Sequence, residues 1–370
     1  MDRPRVVVFT PLYPPRKGGS ATYFYTLVSL LKDRVDFTVV TLETEGEPTE
    51  EEKGGVRMIR CLPERFSTGA ARRYRDVVPK AFSVLDRLRK EGGYILHAHS
   101  NGIYGYSASL FSSLHNIPLI KEVQDTSDRG FVLKAGNVKR WIAVGDFVRD
   151  RLISFGISPE RMITFPSMNP PELEILARKY SAQRRNGGGP VRILFVGWLV
   201  NRIKGVDVLI KGFEKAYRGR QNLELVIVGD GPDREELVEI SKGLPVRFTG
   251  ELEYPDLIEL MAGSDILALT SHEEANPRVI LEAYRMSVPV IATRVGGVPE
   301  EVKDGVTGLL VPDGDVDALS RAIMELASDE EARKRMGMMG REFLKGLPSW
   351  EELSETILGL YLEYSGLDIP

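Results

Sequence analysis

The stretch Ile266-Leu267-Ala268-Leu269-Thr270-Ser271-His272-Glu273-Glu274-Ala275-Asn276-Pro277-Arg278-Val279-Ile280-Leu281-Glu282-Ala283 decides how this chain of 370 residues is read. Its first five residues form the continuous apolar run expected of a strand buried on both faces. After Pro277 the apolar residues return at helical spacing. Pro277 suits the first helical position, where its missing N–H is not needed, and Asn276 is a good N-cap. Strand, loop and helix in succession point to an α/β fold. In that frame Glu274 lies on the loop above the strand, and Glu282 faces inward more than one turn into the helix. Two carboxylates then flank a helix N-terminus whose free N–H groups attract anions. The arrangement suits a ligand with hydroxyls at both ends and phosphates between them, which describes a nucleotide-sugar.

The same alternation extends outward from this stretch. Strand patterns at about 191–196, 223–228, 246–249, 266–270 and 288–293 alternate with helix patterns at about 206–217, 233–242, 254–262 and from 277. Two more helices are expected over about 316–344. Short β-branched runs separated by amphipathic helices imply a parallel sheet covered on both faces. The first half opens alike, with strands at about 6–10 and 37–42 around a helix at 23–31, and further strands near 94–98, 118–122 and 141–144. Between the halves lies Arg184-Arg185-Asn186-Gly187-Gly188-Gly189-Pro190, the best boundary in the chain. The expected division is 1–168 with 350–370 as one Rossmann-like domain, 169–190 as linker, and 191–349 as a second. Two doubly wound domains would face each other across a cleft, and ligands of such sheets bind beyond the carboxyl ends of the strands.

Composition excludes several classes. With 42% hydrophobic and 28% charged residues the chain reads as globular, and its length favours two domains. No apolar run approaches the roughly 18 residues that span a bilayer, and the first strand follows at once on the N-terminus, so a cytoplasmic protein without a signal peptide is expected. A lone Cys61 excludes a disulfide framework and a thiolate zinc site. A net charge of −4 argues against a dedicated nucleic-acid binder. One segment departs from that balance: between Arg57 and Lys90 ten basic residues face three acidic ones. It is either a solvated helix surface or a patch for an anionic membrane or a phosphorylated acceptor.

Four further segments carry candidate chemistry. Gly18-Gly19 follows the first strand, and two glycines let a backbone approach a phosphate. In Gly197-Trp198-Leu199-Val200-Asn201-Arg202-Ile203-Lys204-Gly205, Arg202 and Lys204 stand where a helix is about to start. Cations there oppose the helix dipole, so an anionic ligand explains them better. Gly229-Asp230-Gly231-Pro232 is half of a dinucleotide fingerprint and reads first as a turn. Phe248-Thr249-Gly250 ends a strand and could offer backbone groups to a base.

These segments, in this order and spacing, resemble the GT-B retaining glycosyltransferases of family 4. Glu274, seven residues and Glu282 look like that family's E-x7-E motif. The segments 223–232, 248–250, 288–297 and 304–311 read like its C-terminal domain, and Trp350 and Tyr361 resemble its final helix, which crosses back to the first domain. The resemblance implies a GT-B fold and a retaining, metal-independent transfer of a hexose from a UDP- or GDP-sugar to a hydroxyl acceptor, lipid-linked or a small metabolite. No cofactor is implied. By the same resemblance Glu282 would bind the ribose hydroxyls, and Glu274 would orient the donor sugar. Lys204 with Arg202 would neutralise the diphosphate leaving group, and Gly18 and Gly19 would give it amides. Gly229, Asp230, Phe248, Gly250, Asn276, Arg278 and Val279 would line the donor.

Three departures from the family pattern stand out. Trp198 occupies a position where the family often has Arg, and Ala275-Asn276-Pro277 replaces a common Gly-Phe-Gly. A frequent histidine aligns with Gln124, so Asp125 or Asp128 could line the sugar end instead. His97 and His99 end a strand and are either ordinary strand-end histidines or acceptor contacts. Asp313-Gly314-Asp315 is expected to be a turn with an N-cap and not a metal motif. The rival readings are a GT-B nucleotide-sugar epimerase, a nicotinamide-dependent dehydrogenase and a non-catalytic nucleotide-sugar-binding module. The dehydrogenase lacks its Gly-x-Gly-x-x-Gly after either first strand.

Overall fold

A computed structural model describes residues 3–16, 18–63, 70–99, 102–124, 136–180 and 189–367, without the side chains of residues 70–75. The chain divides into two compact units, Met1–Met168 with Pro348–Pro370, and Asn169–Leu347.

The first unit is built on an eight-stranded sheet. Its strands are β1 (Arg5–Phe9), β2 (Asp36–Leu42), β3 (Glu50–Lys53), β4 (Val56–Leu62), β5 (Ile95–His99), β6 (Leu119–Val123), β7 (Val138–Val144) and β8 (Met162–Phe165). The order is β3-β4-β2-β1-β5-β6-β7-β8. Every described pairing is parallel except that of β3 with β4. β3 reads Glu50-Glu51-Glu52-Lys53 and gives no apolar signal, so sequence reasoning passed over it. Such charge on an edge strand discourages pairing with another chain. The first helix starts at Gly19, four residues before the expected Tyr23, and runs to Leu31.

The helix Trp350–Ser365 belongs to this unit. A capping box starts it: Glu352 N donates to Ser349 Oγ at 3.2 Å, and Ser349 N donates to the Glu352 carboxylate at 2.7 Å. Its Leu353, Ile357, Leu358, Leu360 and Tyr361 share one core with Phe24, Leu27, Phe37 and Val39. Each fully buried aliphatic side chain contributes roughly 1.5–3 kcal/mol, so this helix is integral to the first unit.

The second unit carries a six-stranded sheet: β9 (Val191–Val196), β10 (Leu223–Val228), β11 (Val246–Gly250), β12 (Ile266–Leu269), β13 (Val290–Thr293) and β14 (Gly308–Val311). The order is β11-β10-β9-β12-β13-β14, with all the paired strands parallel. Alternate residues of each strand feed two cores: Ile193, Leu225 and Ile291 one, Leu194, Val226 and Val290 the other. Residues 169–190 were expected to be linker. Within them the helix Glu172–Tyr180 instead sets Leu173, Ala177 and Tyr180, at helical spacing, into the second of these cores. Residues 181–188, the rest of the Gly-rich boundary up to Gly188, lie outside the described residues.

Candidate functional site

Strand order in the second unit reverses between β9 and β12. β10 and β11 lie on one side of β9, and β12, β13 and β14 on the other. Loops leaving the carboxyl ends of two such strands diverge and open a crevice, the usual ligand site of an open α/β sheet. The loop after β9 carries Lys204, and the loop after β12 carries Glu274.

The structure brings these two together. Lys204 Nζ donates to Glu274 Oε1 at 2.5 Å, and Ser271 Oγ donates to the same oxygen at 2.7 Å. Backbone contacts hold the two loops in register: His272 N donates to Ile203 O at 2.8 Å, and Thr270 Oγ1 donates to Lys204 O at 3.2 Å. Behind Glu274, Gly297 N donates to its carbonyl at 3.3 Å. Gly296 has φ 51°, and a Cβ there would lie 1.7 Å from Glu274 O, so only glycine lets the two backbones approach this closely.

Arg202 and Lys204 were expected just ahead of a helix. They lie instead on the one-turn helix Asn201–Lys204, which stops at left-handed Gly205 before the helix Val206–Gly219. Cations at a helix C-terminus are favourable, so the dipole argument for an anionic ligand fails here. What supports Lys204 is its pairing with Glu274. Arg202 is exposed and makes no hydrogen bond or ion pair to any described residue.

The helix bearing Glu282 is Arg278–Arg285. It starts one residue later than expected. Pro277, at φ −79° and ψ 99°, is the cap, its carbonyl accepts from Ile280 N at 3.0 Å, and no side chain caps the helix. Glu282 is 4% exposed. Its Oε1 accepts from Arg278 Nε at 3.0 Å and from Tyr254 OH at 3.2 Å, while its Oε2 accepts from none of the described residues. Burial first, and the Glu282 charge second, hold the Tyr254 hydroxyl far above its ordinary range, so it remains a donor.

The other donor candidates divide. Gly229 has φ 127°, and a Cβ there would lie 1.9 Å from Gly197 O, so its first duty is to let two loops cross. Asp230 is exposed, and its Oδ1 accepts from Gly231 N at 2.7 Å. The Gly250 carbonyl already accepts from Gly229 N at 2.9 Å. Phe248 and Val279 are half-buried and pack on the two cores. Asn276 is half-buried on the β12 loop. Trp198 is 56% exposed on the β9 loop.

In the first unit Gly18 has φ 132° and caps the helix Gly19–Leu31, which has no side-chain cap. His97 and His99 are 0% and 1% exposed, and Phe24 packs on both rings. That burial leaves neither ring surface for an acceptor. Gln124 is half-buried at the end of β6, and its Nε2 donates to Glu122 Oε1 at 2.8 Å. Asp125 and Asp128 lie outside the described residues.

Sequence reasoning missed Ser271, Tyr254 and Glu301. Nothing in their spacing announced that Ser271 and Tyr254 would meet the two motif carboxylates, or that Glu301 would be buried within the field of Glu274. Glu301 is 2% exposed, and neither carboxyl oxygen has a hydrogen-bond partner among the described residues. Burial, then the charges of Glu274 and Glu300, hold its carboxyl well above the usual carboxylate range.

Among the described residues no group of three or more His, Cys, Asp or Glu is placed to hold a metal. Asp315 caps the helix Val316–Ser328 by accepting from Ala318 N at 2.8 Å, as expected of a turn. No described helix is long and apolar enough to cross a membrane. In the basic segment Arg57 pairs with Glu91, Arg60 with Glu51, Lys80 with Glu43, Arg87 with Glu50, and Arg89 and Lys90 with Asp86. Most of those carboxylates come from outside the segment. The side chains of Arg65, Arg72, Arg73 and Arg75 lie outside the described residues.

The fold agrees with comparison to known proteins. The signature of the family described as "Glycosyl transferases group 1" matches residues 177–343, and that of "Glycosyltransferase Family 4" matches residues 17–168. The chain belongs to the group 1 glycosyltransferases of the GT-B fold. It is similar to the GDP-mannose-dependent alpha-(1-6)-phosphatidylinositol monomannoside mannosyltransferase of Mycolicibacterium smegmatis, with 27% identity over 94% of each chain. A monoacylated alpha-(1-6)-phosphatidylinositol monomannoside mannosyltransferase of Corynebacterium glutamicum, also described as GDP-mannose-dependent, is 37% identical over 42% of this chain and 43% of its own length. Among solved structures, sucrose-phosphate synthase from Thermosynechococcus elongatus superposes with a TM-score of 0.81 at 21% identity, covering 98% of this chain and 99% of the other. That likeness is one of fold.

Proposed function

We propose that this chain is a retaining glycosyltransferase that moves a hexose from a nucleoside-diphosphate sugar to a hydroxyl acceptor without a metal ion. The observation that carries the proposal is the Lys204–Glu274 pair at the switch point of the second sheet. A bound diphosphate draws the Lys204 ammonium away and releases Glu274 to accept from sugar hydroxyls. As the glycosidic bond breaks, negative charge grows on the departing diphosphate. Lys204 and Arg202, the latter unpaired among the described residues, stand ready to take it up, which is the work a metal does in other sugar transferases. The open Oε2 of Glu282 suits a ribose hydroxyl. The helix terminus at Gly18 and Gly19 is the first unit's candidate for phosphate oxygens.

Retention follows if the acceptor attacks the face the diphosphate leaves, through a short-lived oxocarbenium-like ion pair. Glu274 then orients and stabilises the sugar and forms no bond to it. The two bacterial relatives are named for GDP-mannose and for phosphatidylinositol mannosides, so a GDP-linked donor and a lipid-linked acceptor are the first to test. Contact with an anionic membrane rests on Arg65, Arg72, Arg73 and Arg75.

A thermal-shift screen of UDP, GDP and ADP with their common sugars identifies the donor, because a ligand of the native state raises its stability. Turnover is then followed with and without acceptor, in the native protein and in Glu274→Ala. Loss of transfer with nucleotide binding kept supports the reading. Transfer retained by Glu274→Ala removes Glu274 from its role, and sugar products formed without acceptor favour an epimerase.

A further inference from the structure

Behind the Glu274 loop lies a carboxyl group that the proposed reaction leaves unused. Glu301 closes the one-turn helix Val298–Glu301, and the chain entering that helix crosses the Glu274 backbone. Gly297, the cap residue, donates its N–H to the Glu274 carbonyl at 3.3 Å, and Gly296 has no room for a side chain against the same carbonyl. Glu301 is thereby fixed close behind Glu274, and both belong to the second unit. The Glu301 side chain is buried, and neither carboxyl oxygen has a hydrogen-bond partner among the described residues. Val298 and Val302 on either side of it belong to an apolar core that also contains Tyr284.

Among the described residues no cation pairs with this carboxyl. The Tyr284 hydroxyl donates to the Glu301 backbone carbonyl at 3.3 Å and lies 2.6 Å from Thr307 Oγ1. Lys303, two residues on, gives its Nζ to the carbonyls of Pro299 and Glu300 at 3.3 and 2.9 Å. Arg294 pairs with Asp304 at 2.6 Å. The charges that reach Glu301 are Glu274 first and Glu300 second, both negative. A buried group with neither water nor a partner neutralises, so Glu301 holds its proton. A glutamine would fill the same volume and could never ionise. What the acid adds is a charge that can be switched on. Lys204 neutralises Glu274. Under the proposed function a diphosphate takes Lys204 for itself, so the Glu274 charge stands uncompensated while more negative charge arrives. Both changes make an ionised Glu301 costlier. Bound diphosphate must then tighten the hold on the Glu301 proton, and affinity for it must fall as rising pH removes that proton.

We propose that Glu301 is a positioning residue with a proton for its switch: neutral, it leaves the crevice between β9 and β12 receptive to a nucleoside diphosphate, and ionised, it sets a buried negative charge behind Glu274 against that ligand. The inference rests on the reading of the crevice as a nucleoside-diphosphate site.

The test uses the whole chain with UDP and GDP as probes, without sugar or acceptor. Affinity is measured by calorimetry from neutral pH upward, over the range in which each protein stays folded, for the native protein, Glu301→Gln and Glu274→Gln. Near neutrality the native protein and Glu301→Gln should bind alike. At the alkaline end the native protein should have lost about fivefold or more in affinity relative to Glu301→Gln. Glu274→Gln removes the charge that holds the Glu301 proton, so its loss should set in at lower pH. Glu301→Leu cannot ionise either and takes the place of Glu301→Gln if that variant folds poorly. Infrared spectra supply a readout that packing does not move. At alkaline pH, diphosphate should strengthen the band of a protonated carboxyl in the native protein and leave it unchanged in the Glu301 variant. The same pH dependence in the native protein and the Glu301 variant, or no such band, overturns the switch. No binding of either diphosphate at any pH overturns the proposed function itself, and the switch with it.

Discussion

Lys204 and Glu274 lie 70 positions apart in the chain, and their side chains meet at 2.5 Å because β9 and β12 are neighbours in the sheet. The pair is a charge reserve. Each ion satisfies the other, and under the proposed function a bound nucleotide-sugar offers both new partners.

Removing either ion should therefore do more than remove a contact. Lys204→Ala is expected to lower kcat by about a hundredfold or more, the ~2.7–4 kcal/mol typical of a lost charge-stabilising donor. It should also weaken nucleoside-diphosphate binding, which Glu274→Ala largely preserves. Calorimetric titration beside steady-state kinetics separates the two, and equal losses of binding would contradict the assigned division of labour.

Arg202 lacks a described partner, so its removal should leave folding untouched. Arg202→Ala is expected to weaken nucleoside-diphosphate binding about tenfold, or ~1.4 kcal/mol, with an unchanged unfolding temperature. The loss should shrink as salt rises. A drop in stability would show instead that Arg202 serves the fold.

Gly296 is fixed by the Glu274 carbonyl behind it. Gly296→Ala should destabilise the protein by roughly 2–4 kcal/mol, since backbone must move to admit the methyl group. Gly359 is exposed inside the helix Trp350–Ser365, and a β-carbon added there would meet nothing within 4 Å, so it gives the opposite expectation. Gly359→Ala should stabilise by about 0.5–1 kcal/mol. Urea unfolding of both variants checks the pair.

Glu301 makes a pH prediction whose sign is set by its burial. Its native carboxyl holds a proton well above the ordinary value of 4.5, at which the unfolded chain releases it. Above 4.5 the native state thus binds more protons than the unfolded state, and the stability contributed by this group falls as pH rises until the native carboxyl ionises. Glu301→Gln removes that slope. The variant should gain on the native protein in urea unfolding as pH rises above 4.5, and a difference that stays constant with pH would refute the account.

The basic segment is less exposed as charge than its composition implies. Arg57→Ala should leave binding to anionic vesicles unchanged, because Arg57 already faces Glu91 and Glu50. Replacing Arg72, Arg73 and Arg75 with Glu should abolish any binding seen at low salt. If the native protein does not co-sediment with anionic vesicles at low salt, the membrane reading falls.

The second sheet was legible in the sequence because buried parallel strands are written as continuous apolar runs, as at Ile266–Leu269 and Val191–Val196. The strand Glu50–Lys53 was not, since an edge strand of four charged residues has no apolar periodicity to read. The helix Glu172–Tyr180 carried its signal in Leu173, Ala177 and Tyr180, but the glycines that follow drew the boundary too early. Glu274 and Glu282 were legible as a spacing, and their partners Ser271 and Tyr254 were not. A hydroxyl three residues from one carboxylate and another 28 residues from the second leave no pattern in a linear chain. The pairing of Lys80 with Glu43, 37 residues away, was hidden for the same reason, and so the segment looked more basic than it is.

The helix Trp350–Ser365 has a bearing on how the molecule is made. Synthesis runs from the N-terminus, and domains fold as units as they emerge. The second unit is complete once residue 347 has left the ribosome. The first unit, begun earlier, must wait for Ile357, Leu358, Leu360 and Tyr361 to fill its core. The half of the protein that is translated first is therefore the half that finishes folding last, and its apolar sheet face needs protection throughout that interval.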